Sequence, residues 1–155
     1  MEYRWQKFGR RFHFSFEKVE AVTGVNSNLE DGSHFLMWDF DDIPLPIVID
    51  SLENIQDMFE LPAVHVVGTG KPSGFHAYCL KRCDFRLART VLAATANVDT
   101  NFVALGMIRG YFTLRFTDVP GREFEPIGEL PSKFPDDCTF KDAFCFVKYT
   151  KKVKA

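Results

Sequence analysis

Three aspartates follow a strongly apolar stretch in HFLMWDFDD (34–42). If this stretch is a β-strand, Asp39 and Asp41 lie on the same face, because successive strand side chains alternate. Neighbouring carboxylates repel each other unless a positive charge lies between them, and hard divalent cations prefer oxygen ligands. The spacing therefore indicates a divalent-metal site. A strand that ends in a solvated turn, with Asp42 and Pro44 as turn residues, explains the same residues.

Charged residues are sorted along the chain, although the net charge is only −2. The stretch from Val19 to Gly70 contains ten acidic residues and no lysine or arginine, and the basic residues lie before and after it. This sorting fits an acidic, metal-binding half that faces a basic, phosphate-binding half. It also fits ordinary solvated surfaces.

The composition is that of a globular protein, since 155 residues with 46% hydrophobic content can bury a packed core as one domain. The chain has no apolar stretch of the roughly 20 residues that span a membrane, and its first residues do not form a signal peptide. We therefore expect a cytoplasmic protein without a membrane partner. The four cysteines lack the paired spacing of a zinc ribbon.

Hydrophobic periodicity and turn residues predict six elements in the order strand, helix, strand, strand, helix, strand. The predicted ranges are 35–40, 47–61, 63–68, 75–81, 84–96 and 111–117. This order is typical of a ferredoxin-like α+β fold, a βαββαβ arrangement shared with RNA-recognition motifs.

The predicted topology places the first and third strands side by side at the centre of one antiparallel sheet, with both helices on one face. Asp39 and Asp41 would then lie beside His76 and Tyr78 on the open face. The opposite face would supply the core. Its predicted residues are Leu36, Trp38, Phe40, Phe75, Ala77 and Cys79.

Three short motifs occur in order along these elements: DFD (39–41), SGFH (73–76) and VD (98–99), the last ahead of an arginine-bearing segment. In this order and spacing the chain resembles the archaeo-eukaryotic primase superfamily, the primase-polymerases. Ser73 lies three residues before His76 rather than two, and Gly74 instead matches the Gly-x-His form common in members from mobile elements. Asp99 best matches the family's third acidic motif, and Asp118 is the alternative.

The resemblance implies a template-directed nucleotidyltransferase that uses two Mg²⁺ or Mn²⁺ ions. Asp39 and Asp41 would hold both ions, and Asp99 would complete the first. The remaining family positions would bind the nucleoside triphosphate, and they match His76, Ser73, Lys71, Arg109 and Arg115. The expected partners are a single-stranded DNA or RNA template with its primer, and a helicase or other replication protein of a phage or mobile element.

The resemblance spans a palm-like core at 34–118, between an N-terminal extension at 1–33 and a C-terminal strand region at 119–155. Family catalytic domains generally carry a further α/β module before the palm, and here only 1–33 precedes it. Primer extension or weak priming is therefore expected rather than full primase activity.

A second hypothesis comes from RGYFTLRF (109–116), which is similar to the RNP1 motif of RNA-recognition domains. The chain would then be a non-catalytic module that binds single strands by aromatic stacking. RNP1 belongs on the third strand of that fold, whereas this segment is predicted as the fourth. Asp39 and Asp41 would also repel phosphates if no metal were bound.

Overall fold

The computed structural model describes residues 2–7, 10–15, 19–116, 123–144 and 146–152. The strands are β1 (Glu2–Lys7), β2 (Arg10–Ser15), β3 (Val19–Asn26), β4 (His34–Phe40), β5 (Val64–Gly68), β6 (Phe75–Cys83), β7 (Thr113–Arg115), β8 (Glu125–Leu130) and β9 (Phe146–Lys152). The helices are α1 (Leu45–Phe59), α2 (Phe85–Ala94), α3 (Thr100–Arg109) and α4 (Phe140–Ala143).

These strands form three antiparallel groups. Strands β1 and β2 form a two-stranded sheet. A three-stranded sheet has the order β7–β3–β9, and a four-stranded sheet has the order β4–β6–β5–β8. Antiparallel sheets combined with helices confirm the α+β class.

The first five predicted elements are present close to their predicted positions. Helix α1 begins at Leu45, two residues earlier than predicted, and includes Pro46 in its first turn. Proline is tolerated there because its missing N–H would have no acceptor within the helix. Glu60 in the left-handed conformation ends it. Helix α2 begins at the predicted cap, where the Asp84 carboxylate accepts a hydrogen bond from the Leu87 N–H at 2.7 Å.

Helix α1 is 15 residues long. In the part of the chain that the structure describes, no helix is both long and apolar enough to cross a membrane.

The side of the four-stranded sheet that carries Leu36, Trp38 and Phe40 faces the helices, as predicted. All three side chains are buried. The Trp38 indole N–H donates to the Thr95 hydroxyl at 2.9 Å, at the C-terminal end of α2. A buried indole needs such an acceptor, and this bond fixes α2 against β4.

After α2 the observed elements differ from the predicted ones. Helix α3 was not predicted, and the predicted fourth strand is reduced to Thr113–Arg115, with Thr117 outside the described residues. This strand pairs with β3 instead of lying beside β4, so β4 ends its sheet rather than lying at the centre. The prediction that β4 and β6 are neighbours is confirmed, but the ferredoxin-like arrangement is not.

The sheet face expected to be open is covered, and that expectation was wrong. Phe35, Met37 and Tyr78 are buried on it. The Phe144 ring lies 5.0 Å from the Tyr78 ring, centroid to centroid. Strand β4 is apolar on both sides, which is typical of a strand buried on both faces. The sequence did not show that residues 123–144 supply the cover.

The packing of α3 makes one substitution costly. A Cβ atom at Gly106 would lie 2.1 Å from the Phe112 ring. We expect Gly106→Ala to lower the free energy of unfolding by about 2 kcal/mol in urea denaturation, because overpacking outweighs the gain in helix propensity. Gly128→Ala is the control, since a Cβ there meets nothing within 4 Å. Equal stability of the two variants would contradict this packing.

Candidate active site

The candidate site lies at the end of β4 and the start of β6, where the two predicted motifs meet. Asp39 is the register partner of His76, so the first aspartate of DFD lies directly opposite the histidine of SGFH. The His76 Nε2 atom is 3.6 Å from Asp39 Oδ1. The predicted proximity of these two residues is confirmed.

Two loops meet at the same end of the sheet. The Ile43 N–H, just after DFDD, donates to the Ser73 carbonyl at 3.1 Å. Asp42 (φ 61°) and Ser73 (φ 56°) are both left-handed, a conformation that is uncommon for residues other than glycine. Both loops therefore keep a sparsely populated backbone conformation beside the carboxylates, and such strain is concentrated at functional sites.

Lys71 brings a positive charge to the acidic loop. Its Nζ atom lies 3.2 Å from Asp41 Oδ1 and 3.2 Å from Asp42 Oδ1. These carboxylates raise the pKa of the Lys71 ammonium group. Because the Asp41 side chain is 47% exposed, the pair adds little stability. The contact does show that Lys71, which is predicted to bind triphosphate, lies next to Asp41, which is a predicted metal ligand.

The glycine of the Gly-x-His motif allows a close approach between the two ends of the turn before β6. A Cβ atom at Gly74 would lie 2.6 Å from the Thr69 hydroxyl and 3.0 Å from Lys71 Cβ. Glycine at this position thus allows the turn to hold Lys71 near Asp41.

Asp39 is the most perturbed carboxyl group of the site. Its side chain is 26% exposed. Burial, and after it the negative charges of Asp41 and Asp99, raise its pKa to about 7, and the positive charge of Lys71 opposes this shift. A carboxyl group with like charges around it favours a bound cation, and perturbed pKa values are concentrated at functional sites.

Asp99 joins the site through both backbone and charge. Its N–H donates to the Asp39 carbonyl at 2.8 Å. Its Oδ1 atom accepts from the Phe102 N–H at 2.6 Å, so Asp99 is the N-cap of α3. A helix that begins after Asp99 was not predicted from the sequence. The alternative, Asp118, lies outside the described residues.

His76 is buried with both ring nitrogens next to protein groups. The Tyr78 hydroxyl lies 3.3 Å from His76 Nδ1 on the side opposite Asp39. Burial lowers the pKa of His76 to about 4, so the ring is neutral at pH 7. Burial also raises the pKa of Tyr78, which keeps its hydroxyl protonated. Tyr78 is only 2% exposed, so it is not an exposed stacking platform.

The two predicted arginines lie on other elements. Arg109 is exposed in the last turn of α3, and Arg115 lies in β7 opposite Gly24 of β3. The charges that shift the pKa of Asp39 are those of Asp41, Asp99 and Lys71. The roles of both arginines, and of exposed Ser73, in binding triphosphate stay predictions.

The carboxylates of Asp39, Asp41 and Asp99 are chemically suited to Mg²⁺ or Mn²⁺, since both ions prefer carboxylate oxygen. Within residues 19–116, 123–144 and the other described ranges, no three His, Cys, Asp or Glu side chains form a group that could hold a metal ion. The charges of Asp41 and Asp99 nevertheless act on Asp39, so the three carboxylates form one electrostatic cluster, and metal coordination by them stays a prediction.

A comparison of the chain with protein-family models, curated proteins and solved structures found no match.

Proposed function

We propose that this chain is a template-directed nucleotidyltransferase of the primase-polymerase type that depends on divalent metal ions. The register pair Asp39–His76 carries the proposal, because it brings two separate motifs together at one end of the sheet. The electrostatic cluster of Asp39, Asp41 and Asp99 supports it. The resemblance of the three motifs to that superfamily gives the reaction class.

In this proposal Asp39 and Asp41 hold two Mg²⁺ or Mn²⁺ ions, and Asp99 adds a third carboxylate. When bound, such ions activate an attacking hydroxyl group and neutralise a leaving pyrophosphate. Lys71 leaves its contacts with Asp41 and Asp42 and pairs with the triphosphate. An ammonium group on a flexible stem can make this exchange.

The covered sheet argues against the alternative of a non-catalytic RNA-recognition module. Such modules bind bases on an exposed sheet face that carries aromatic side chains. Here that face is covered, with Tyr78 against Phe144 and His76 against Phe124. The site at the strand ends, where Asp41 is exposed, suits a small charged substrate better.

The test is nucleotide incorporation on a single-stranded DNA template, with and without an annealed primer. The purified protein is given labelled ribonucleotides or deoxyribonucleotides with Mg²⁺, Mn²⁺ or EDTA. We expect primer-extension products that require both template and metal, with weaker synthesis on unprimed template. Omission of the template is the control for untemplated terminal transfer.

Absence of incorporation with either metal would overturn the proposal. Metal-independent binding of single-stranded RNA or DNA without incorporation would favour the binding-module hypothesis. A helicase or other replication protein remains the proposed partner.

A further inference from the structure

Three polar side chains form a row on the covered face of the four-stranded sheet. Asp39 Oδ1 lies 3.6 Å from His76 Nε2, and His76 Nδ1 lies 3.3 Å from the Tyr78 hydroxyl. The row runs from the buried interior to the candidate metal site. It was not foreseen from the sequence, which placed His76 and Tyr78 on an open face.

The surroundings of this row are apolar. Phe124 lies 5.6 Å from the His76 ring, and Phe144 lies 5.0 Å from the Tyr78 ring. Buried polar groups are costly unless they are hydrogen-bonded. A phenylalanine at 78 could make the same ring contacts with Phe144. Packing against Phe144 therefore does not account for the Tyr78 hydroxyl, whose partner is His76 Nδ1.

The hydrogen-bonding capacities of the three groups orient the row in one direction. An ionised carboxylate can only accept, so the His76 nitrogen that faces Asp39 carries the proton. The other nitrogen of the neutral ring must then accept, and the Tyr78 hydroxyl is the donor beside it. The 3.6 Å separation at Asp39 exceeds a hydrogen bond, and an approach of a few tenths of an ångström would form one.

We propose that His76 and Tyr78 are positioning residues: Tyr78 fixes the ring of His76, and His76 orients the Asp39 carboxylate toward a divalent cation. This inference rests on the proposed function only for the identity of the cation site. Groups that orient ligands in this way typically change metal affinity by about 10-fold to 100-fold when they are replaced. It gives His76 a role other than the triphosphate contact that the family resemblance implies.

The test is Mn²⁺ binding to the nucleotide-free protein at pH 8, measured by electron paramagnetic resonance. We expect Tyr78→Phe to weaken Mn²⁺ binding about 10-fold and His76→Phe to weaken it further. His76→Gln should recover part of the loss, since its amide N–H₂ can still donate to Asp39. Phe144→Leu is the control, because it disturbs the packing of Tyr78 but removes no polar group.

Unchanged Mn²⁺ affinity in Tyr78→Phe would overturn the inference, as would an equal loss in Phe144→Leu, which would indicate a purely structural effect. Nucleotide incorporation by the wild type, together with unchanged affinity in Tyr78→Phe, would contradict the inference alone. Weakened Mn²⁺ binding without any incorporation by the wild type would contradict the proposed reaction alone. No Mn²⁺ binding by the wild type would overturn both.

Discussion

Asp39→Asn is expected to reduce metal-dependent nucleotide incorporation by about 1000-fold. Asparagine keeps the shape of the side chain but removes the charge that would hold the cations. The metal ions supply several kcal/mol of transition-state stabilisation, and a loss of about 4 kcal/mol corresponds to this factor. Initial rates of primer extension at saturating Mg²⁺ would measure it.

The same substitution is expected to stabilise the metal-free protein. The pKa of Asp39 is about 7 in the folded state, against an ordinary value of 3.8, so folding disfavours the charged form. This penalty is absent below pH 4, grows as the pH rises and is complete above pH 7. We expect Asp39→Asn to raise the free energy of unfolding by about 2 kcal/mol at pH 8 and very little at pH 4.

Asp57→Asn on the exposed side of α1 is the control for removal of one carboxylate. It should change incorporation less than about 2-fold and stability by less than about 0.5 kcal/mol. If Asp39→Asn unfolds the protein or destabilises it at pH 8, then Asp39 is a structural residue and the site assignment is wrong.

Divalent-metal affinity is expected to depend steeply on pH. Mn²⁺ binding requires the Asp39 carboxyl group to lose its proton, which is opposed by burial, by Asp41 and by Asp99 and favoured by Lys71. Well below pH 7 the affinity should therefore fall about tenfold per pH unit, and the total fall between pH 7 and pH 5 should be about 50-fold. Above pH 7.5 it should be nearly constant. Isothermal titration calorimetry without nucleotide would measure this profile.

His76, which lies opposite Asp39, does not produce this profile. The pKa of His76 is lowered to about 4, so its ring stays neutral between pH 5 and pH 8. Asp39→Asn should abolish the steep dependence and leave weak binding that varies little with pH. A flat profile in the wild type would show that Asp39 is not a ligand.

The local elements could be predicted because their signals are local. Strand β4, helix α1 and strands β5 and β6 follow from apolar periodicity and glycine-rich turns, and α2 follows from its Asp84 cap. The alternation of side chains along β4 and β6, together with the predicted pairing of these two strands, also placed Asp39 beside His76. These features depend on residues that are close in the chain or on neighbouring strands.

Helix α3 was missed although both of its ends carry signals, an Asp99 N-cap and a left-handed Gly110 after its last residue. Its apolar side chains do not fall on one face, since Leu105, Met107 and Ile108 are exposed while Phe102 is buried. Without a single apolar stripe the helical period is hidden. Failure to recognise α3 also hid the role of Asp99 as its cap.

The sequence by itself determined which acidic residues share a strand face, because side-chain alternation follows from strand geometry. The position of His76 opposite them also depended on the predicted pairing of β4 with β6, which the structure contains. Only the tertiary structure decided the chemical state of these side chains. Phe124 covers His76, and Lys71 arrives from a separate turn to pair with Asp41. The pKa of Asp39 reaches about 7 because desolvation and charge depend on groups distant in the chain, which no local pattern records.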